Sequence, residues 1–212
     1  NLGLALREVR RFDEAITALE TARDIHQQTG DRHREGMAWN NLGTALGQVR
    51  RFDEAITAHQ RDLEICREIG DRHGEGMAWN NLGIALGQVR RFGEAITALE
   101  CARDIYQQTN DRHGEGKAWN NLGTVLRRVR RFEEAITAHT TARDMFQQTS
   151  DRHGEASAWN NLGLALLRVG RFDEAITALE QAVAAYTESG AIEDADEIRH
   201  GIEAIKDAQA EK

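Results

Sequence analysis

The apolar residues of the chain recur at spacings of three and four, which places their side chains on one face of an α-helix. No segment alternates apolar and polar residues with the period of two that a half-buried strand shows. One stripe consists of Ala38, Trp39, Leu42, Ala45, Leu46 and Val49, and the next of Phe52, Ala55, Ile56, His59, Leu63 and Ile65. The pattern therefore predicts antiparallel helix pairs that are joined by short turns.

The helix pairs belong to a sequence repeat with a period of 40 residues. The segment AWNNLG begins at residues 38, 78, 118 and 158, and a phenylalanine upstream of EAITA recurs at 12, 52, 92, 132 and 172. Such a period is typical of solenoids and other arrays, and the helical spacing selects an all-α stack. We expect helices near 71–89 and 92–109 in the third repeat. The aspartates expected to cap the first helix of each pair are Asp31, Asp71, Asp111 and Asp151.

Six positions of the pattern resemble the signature of the tetratricopeptide repeat family. In that signature an aromatic residue, Leu-Gly, a further large apolar residue and Ala-Ile recur on helix pairs. The residues that carry the resemblance are Trp39, Leu42, Gly43, Leu46, Ala55 and Ile56. The resemblance covers residues 1–190 and implies a right-handed α-solenoid. It also implies that Gly43, Gly83, Gly123 and Gly163 let the first helix of a pair approach its partner closely.

The repeat divides the chain into five units and one C-terminal helix. The expected repeats are 1–30, which is truncated, 31–70, 71–110, 111–150 and 151–190. Beyond residue 190 the repeat is lost, and a single apolar stripe predicts a capping helix over 191–212 with one solvated face. That stripe consists of Ile192, Ala195, Ile198, Ile202 and Ile205.

The chain departs from the common 34-residue repeat in two ways. It contains no proline, so we expect the second helix of each pair to continue past the usual stop. Arginine also stands in the turn where the family usually has glycine, at Arg10, Arg50, Arg90 and Arg130, with glycine only at Gly170. Because a positive φ strains a residue that has a side chain, we expect these arginines to form a different turn. The longer form resembles the repeats of kinesin light chain and Pins-type proteins, and most closely those of actinobacterial NB-ARC-type signalling ATPases.

Composition narrows the classes of partner. The 212 residues carry a formal net charge of -8, which argues against nucleic acid because duplex binding needs a concentrated basic surface. No apolar run approaches the roughly 18 residues of a membrane-spanning helix, so no membrane partner is expected. Cys66 and Cys101 form no C-x-x-C motif and fit a reducing cytoplasm. The chain opens inside a repeat motif, so we expect it to be a fragment of a longer protein.

The repeats show no catalytic motif. A nucleophile elbow, a phosphate-binding loop and a pocket of paired carboxylates are all missing from the pattern, and the repeated carboxylates are interpreted as helix caps or solvated side chains. The histidine of DRH occurs once per repeat, not at the i, i+4 spacing of a helical metal site. We therefore expect no enzymatic activity, no cofactor and no metal. His59 and His139 replace leucines of other repeats and are expected to pack between helices.

Asparagines on the first helix of each pair are the candidate binding residues. On a helical wheel they lie opposite the buried stripe, and the resemblance implies that this helix lines a concave groove. A carboxamide both donates and accepts hydrogen bonds, so it can hold the backbone of an extended peptide of any sequence. The expected groove residues are Asn40, Asn41, Thr44, Gln48, Asn80, Asn81, Gln88, Asn120, Asn121, Arg127, Arg128, Asn160, Asn161 and Arg168. Asn1 opens the row, and Arg7 adds positive charge at its end.

Two further interpretations stay open. The asparagines can hydrogen-bond to neighbouring helices and hold the geometry of the repeats instead of a ligand. Near-identical repeats can also stack across copies of the chain through the end repeats, which would make it a self-associating structural solenoid. We favour a protein–protein interaction scaffold that binds a partner peptide and forms the sensing or scaffolding part of a larger signalling protein.

Overall fold

The computed structural model describes residues 3, 5, 6 and 11–210. The predictions for Asn1, Arg7 and Arg10 lie outside these residues, as does much of the start of the truncated first repeat. Residues 11–210 are all-α, as predicted, and contain no strand. Their helices are α1 Phe12–Thr29, α2 Arg32–Gln48, α3 Phe52–Ile69, α4 Arg72–Gln88, α5 Phe92–Gln108, α6 Arg112–Arg128, α7 Phe132–Gln148, α8 Arg152–Arg168, α9 Phe172–Glu188 and α10 Ile192–Ala210.

The chain divides into two compact units, an N-terminal unit Asn1–Thr109 and a C-terminal unit Asn110–Lys212. The N-terminal unit holds α1 to α5 and the C-terminal unit α6 to α10, and within each unit consecutive helices pack against one another. The first helices of neighbouring pairs also touch, α2 with α4 and α6 with α8. Helix pairs are therefore layered within each unit, as expected for a repeat whose apolar faces are covered by its neighbours. The division into five repeats stays a prediction.

The first helix of each described pair begins at a capping aspartate, as the sequence predicts. The Asp31 carboxylate accepts a hydrogen bond from the backbone N–H of Arg34 at 3.1 Å. The Asp71 carboxylate accepts from the backbone N–H of Gly74 at 2.8 Å. The equivalent caps are formed by Asp111 and Asp151. Because such a cap contributes about 1 kcal/mol, these residues define where each first helix starts.

The prediction that the turn arginines avoid the left-handed region is wrong. The φ angle at this position is 63° in Arg50, 64° in Arg90 and Arg130, and 77° in Gly170. The next residue shows why, since the backbone N–H of Arg51 donates to the carbonyl of Leu46 at 2.9 Å and so satisfies the end of α2. The hydrogen bond at the helix end outweighs the conformational cost of an arginine in the left-handed region, which is about 1–2 kcal/mol.

The repeated glycine of the first helix does allow a close helix approach. A Cβ atom on Gly43 would lie 2.6 Å from the His59 ring, and one on Gly83 would lie 2.6 Å from Cγ of Leu99. Real Cβ contacts essentially never fall below 3.0 Å. A larger residue therefore fits only if the facing side chain or its helix shifts. Gly123 and Gly163 make the equivalent contacts with His139 and Leu179.

The interpretation of the repeated carboxylates as caps or solvated groups is wrong for one glutamate per repeat. Glu35, Glu75, Glu115 and Glu155, in the first turn of the first helices, are only 3–6% exposed. The guanidinium of Arg32 lies 2.6 Å from the Glu35 carboxylate, and both Arg67 and Arg72 pair with Glu75. An arginine one helical turn earlier therefore offsets the cost of burying each charge.

The C-terminal helix α10 caps the last described pair, as the apolar stripe predicts. Ala195 is fully buried and Ile202 is 6% exposed, while Ile198 and Ile205 are half-buried. Ile192 is 49% exposed, so its place in the buried stripe was predicted wrongly. It is the first residue of α10, and the buried stripe starts at Ala195, next to Tyr186 of α9.

Candidate functional site

The first helices of neighbouring repeats bring their asparagines together. In the N-terminal unit α2 carries Asn40 and Asn41, and α4 carries Asn80 and Asn81. Nδ2 of Asn81 donates a hydrogen bond to Oδ1 of Asn40 at 2.9 Å. This bond joins the second asparagine of one repeat to the first asparagine of the preceding repeat. We call the surface formed by these asparagines in each unit the asparagine face.

The same bond recurs in the C-terminal unit between α6 and α8. Nδ2 of Asn161 donates to Oδ1 of Asn120 at 3.2 Å, and Nδ2 of Asn120 donates to Oγ of Ser157 at 3.3 Å. Oδ1 of Asn120 also lies 2.9 Å from Nδ1 of His139. Because that oxygen only accepts, the His139 proton resides on Nδ1. The amide of Asn120 is thus held in one orientation by three neighbours.

The asparagines are less exposed than a helical wheel predicts. Asn80 is 8% exposed, so the prediction that it faces outward is wrong, and its Nδ2 lies 3.5 Å from Oδ1 of Asn81. A wheel gives the direction of a side chain from its own helix axis, but not what the neighbouring layer covers. The other asparagines of the face are half-buried, namely Asn40, Asn41, Asn81, Asn120, Asn121, Asn160 and Asn161.

The contacts between layers use only part of the hydrogen-bonding capacity of the asparagine face. A carboxamide offers two N–H donors and an oxygen that accepts twice, and the bond to Asn40 uses one donor of Asn81. Among the described residues, no asparagine amide atom is both buried and without a partner. Each asparagine amide atom of the described residues therefore either has a hydrogen-bond partner or is accessible to solvent. The packing role is thus observed for both bonded pairs, whereas binding by the asparagine face stays a prediction.

Three more predicted residues border the asparagine face of the N-terminal unit. Thr44, Gln48 and Gln88 line, together with Asn81, a cavity of about 240 Å³ between α2 and α4. The Thr44 hydroxyl donates to the carbonyl of Asn40 at 3.0 Å, so only its lone pairs remain for a ligand. Gln48 and Gln88 are exposed near the C-terminal ends of their helices. These three side chains therefore line one cavity with Asn81, and their role as groove residues stays a prediction.

The C-terminal unit adds positive charge to its asparagine face. Arg127 is half-buried, and its Nε is buried without a hydrogen-bond partner among the described residues. Burial, and after it the charges of Arg128 and Arg168, lowers the pKa of the Arg127 guanidinium. Arg128 and Arg168 are exposed. A cluster of arginines that repel one another and leave a buried donor unused is suited to a carboxylate, which a guanidinium binds in bidentate geometry.

Asn160 of the asparagine face also borders a cavity of the C-terminal unit. It lines a cavity of about 390 Å³ whose walls are formed by α8, α9 and α10. The apolar part of the wall includes Leu164, Leu167, Ile198 and Ile205. The sequence predicts Asn160 as a groove residue, and the structure places it beside this cavity under the capping helix.

His59 and His139 pack between helices, as predicted from the leucines at the same position in other repeats. They are 3% and 0% exposed. Burial lowers the pKa of His59 to about 4, and burial together with the charge of Arg127 lowers that of His139 to about 3. Both rings are therefore neutral at physiological pH. Nε2 of His139 and Nδ1 of His59 are buried without a partner among the described residues, so neither ring is available for proton transfer at the surface.

Sequence reasoning missed a carboxylate in the N-terminal unit. Asp62 of α3 is 4% exposed and accepts a hydrogen bond from Sγ of Cys66 at 3.5 Å. Both residues line a cavity of about 380 Å³ together with Asn40 and Asn41. The signal was available, because every other repeat carries alanine where this one carries Asp62. An interior position that changes from alanine to aspartate in one repeat indicates a special role more strongly than any repeated residue does.

Two classes of site are not found in the part of the chain that the structure describes. No group of three or more His, Cys, Asp or Glu side chains is arranged to hold a metal ion within residues 3, 5, 6 and 11–210. No helix of these residues has the length and apolar character needed to cross a bilayer.

Comparison with known proteins identifies the repeat. The sequence pattern of the tetratricopeptide repeat matches residues 1–61, 34–108 and 115–188. No curated protein sequence matches the chain. The crystal structure of BtubC (BKLC) from P. vanneervenii is similar with a TM-score of 0.72 and 18% identity, over 94% of this chain and 92% of that one.

Two further solved structures share the fold. A putative kinesin light chain from Podosopora anserina with nearly identical TPR-like repeats gives a TM-score of 0.72 at 17% identity, over 89% of this chain and 93% of that chain. A Rap protein complexed with competence and sporulation factor gives 0.78 at 16% identity, over 88% of this chain and 52% of that chain. Identities this low show the fold alone, and that fold is the predicted α-solenoid of stacked helix pairs.

Proposed function

Because the chain belongs to the tetratricopeptide repeat family, we propose that each of its asparagine faces binds an extended segment of a partner protein. Repeats of this family form non-catalytic scaffolds for protein–protein interaction. We propose further that the chain is the sensing or scaffolding part of a larger cytoplasmic signalling protein, as its resemblance to the repeats of NB-ARC-type ATPases suggests.

The observation that carries the proposal is the asparagine bond between successive layers. It occurs at 2.9 Å between Asn81 and Asn40 and at 3.2 Å between Asn161 and Asn120. Each bond fixes the orientation of two amides before any partner arrives, so less side-chain entropy is lost on binding. The amide capacity left over can pair with the backbone N–H and C=O groups of an extended chain, which all sequences share.

The arginine cluster of the C-terminal unit favours an acidic group in the partner. The buried Nε of Arg127 has no partner among the described residues, and Arg128 and Arg168 stand close enough to lower its pKa. A carboxylate placed there would satisfy that donor and relieve the repulsion between the three charges. The fold relative Rap was solved in complex with competence and sporulation factor. By analogy of fold, that complex supports a partner segment as the ligand.

The proposal is tested by the capture of short extended peptides from a synthetic library on the full chain. The test variant carries Asn41→Ala, Asn81→Ala and Asn121→Ala. A matched control carries Thr57→Ala, Thr97→Ala and Thr137→Ala, which removes three exposed side chains of the second helices whose hydroxyls only bond to their own helix. We expect at least a tenfold loss of affinity in the asparagine variant, which is about 1.4 kcal/mol, and none in the control.

The melting temperature separates binding from folding. Both variants should unfold cooperatively, and the asparagine variant should lose little stability, because a single amide bond between layers contributes only about 1 kcal/mol. Equal capture by the wild-type chain and a folded asparagine variant would remove the asparagine faces from the proposal. Failure of the wild-type chain to select any peptide would remove peptide binding altogether.

A second candidate is self-association, which the cavity beneath α10 favours. Its apolar wall is accessible at the C-terminal end of the described repeats, where Ile205 is only half-buried. An apolar surface of this kind can pack against another copy of the chain. Light scattering over a range of concentrations should then show assembly that Ile205→Glu abolishes. A concentration-independent monomer would contradict this candidate.

A further inference from the structure

The cavity around Asp62 results from two departures of one repeat from the others. At the position of Asp62 the other repeats carry Ala22, Ala102, Ala142 and Ala182. At the position of Cys66, three of the other repeats carry Tyr106, Phe146 and Tyr186. Those three rings are only 2–8% exposed. A thiol fills far less space than a ring, so the same repeat that gains an interior carboxylate also loses the side chain that would cover it.

The aromatic residue elsewhere fills the space next to a histidine of the preceding helix. Tyr106 and Phe146 show this packing, since their rings lie edge-on to His73 and His113 at 6.3 and 5.9 Å. In the second repeat no ring fills that position, and a cavity of about 380 Å³ lies between α2, α3 and α4. Asp62 and Cys66 form its inner wall, while Met37 and Met77, which are 54% and 37% exposed, lie at its mouth.

The Asp62 carboxylate lacks a counter-charge. Within residues 3, 5, 6 and 11–210, its side chain receives one hydrogen bond, from the thiol of Cys66, and no Lys or Arg side chain pairs with it. Burial raises the pKa of the Cys66 thiol to about 12, so the thiol remains a neutral donor. The nearby Asp71 adds a second negative charge, and His33 and His73 line the same cavity.

An interior carboxylate without a cation is costly, and folding does not require this one. A buried charge without a counter-charge costs several kcal/mol, whereas alanine occupies the position in all four other repeats. No third metal ligand is arranged with Asp62 among the described residues, which argues against a metal ion. The combination of a carboxylate at the back, a protonated thiol and methionine side chains at the mouth fits an alkyl chain that ends in a positive charge.

We propose that this cavity binds the lysine or arginine side chain of a partner peptide, with Asp62 as the counter-charge and Met37 and Met77 packing against the aliphatic stem. The inference rests on the proposed peptide binding, because Asn40 and Asn41 of the asparagine face line the same cavity. It adds a specificity that the amides cannot supply, since they recognise backbone that every peptide has.

The first test uses small probes and the full chain at about pH 8, where the Asp62 carboxylate is ionised. n-Butylammonium and n-butylguanidinium represent the two side chains, and 1-butanol is the neutral control at the same ionic strength. We expect both cations to shift the backbone amide signals of the cavity residues, with at least tenfold tighter binding than 1-butanol. The stronger of the two cations identifies which basic residue the partner presents.

Two variants separate the contribution of the Asp62 carboxylate to binding from that of the cavity volume. Asp62→Ala restores the residue of the other repeats and should remove the preference for cations over 1-butanol. Cys66→Tyr restores an aromatic residue and should block all three probes. Asp53→Ala removes an exposed carboxylate from the same helix and should leave binding unchanged. Wild-type binding of the cations no tighter than that of 1-butanol would overturn the inference, and so would an unchanged preference in Asp62→Ala.

Peptides separate this inference from the proposed function. A short peptide library with a fixed central lysine should bind the wild-type chain at least tenfold more tightly than the same library with norleucine, and Asp62→Ala should erase the difference. If both libraries bind equally, the cation site is refuted while peptide binding stands. If neither library binds but n-butylammonium does, the cavity binds cations, but the claim that the cation belongs to a peptide is refuted together with the proposed function.

Discussion

Replacing Asp62 by alanine should stabilise the protein, and the gain should grow as the pH rises. Burial raises the pKa of Asp62 from 3.8 to about 7, with the charge of Asp71 acting in the same direction and the hydrogen bond from Cys66 opposing it. The folded state therefore holds a proton on this carboxyl at pH values where the unfolded chain has already released it. Stability that is present below about pH 4 is lost as the pH rises through the folded pKa.

The size of the effect follows from the two pKa values. The difference between 3.8 and about 7 corresponds to on the order of 4 kcal/mol, of which about 3 kcal/mol falls between pH 5 and pH 8. Against a typical stability of about 5–15 kcal/mol this is a large fraction. Asp62→Ala removes the titrating group. It leaves alanine in the interior, which is the residue that the other repeats carry at this position.

Urea unfolding followed by circular dichroism at pH 5 and pH 8 measures the difference. The gain in the free energy of unfolding of Asp62→Ala over the wild type should be about 3 kcal/mol larger at pH 8 than at pH 5. The buried rings of His59 and His139 titrate in both proteins and cancel in the comparison. The control Asp53→Ala should change stability equally at both pH values. An Asp62→Ala gain that does not depend on pH, or a loss of stability at pH 8, would refute the account of an uncompensated buried carboxylate.

Four further substitutions test the helix packing, the turn and the buried histidine. Gly83→Ala should destabilise the protein by about 1–3 kcal/mol, because the new Cβ would lie 2.6 Å from Leu99. Gly47→Ala has open space around it and should stabilise the protein by roughly 0.5–1 kcal/mol. Equal urea midpoints of the two variants would contradict this. Arg90→Gly should stabilise by about 1 kcal/mol, since φ is 64° there, and a lower thermal midpoint would count against it. His139→Leu should weaken the loss of stability as the pH falls from 6.5 towards about 3, because the unfolded ring takes up its proton first; an unchanged acid titration of stability would exclude this cause.

The fold could be predicted because the information is local and repeated. Helical spacing, the capping aspartates and the glycine at each close contact recur in repeat after repeat, so an error at one position is corrected by the others. The aspartate caps and the close helix approach at Gly83 were therefore expected and are present. The turn was predicted wrongly because the strain of one arginine was weighed without the backbone hydrogen bonds that close the helix end.

The site was harder to predict because it depends on neighbouring layers. A helical wheel for α4 cannot show that Asn80 is covered, nor that Asn81 donates to an amide 41 residues earlier. The interior carboxylate was missed for a different reason. A search for repeated residues overlooks a residue that occurs in only one repeat. Asp62 is informative only when it is compared with the alanines of the other repeats.

The most direct test of the central claim is the side-chain amide spectrum of the full chain during titration with a captured peptide. The account predicts that the NH₂ signals of Asn81 and Asn161 shift and saturate together with binding. The NH₂ signals of Gln107 and Gln147, which are exposed on second helices, should stay in place. Binding that leaves the asparagine signals unmoved and shifts residues of the second helices instead would contradict it.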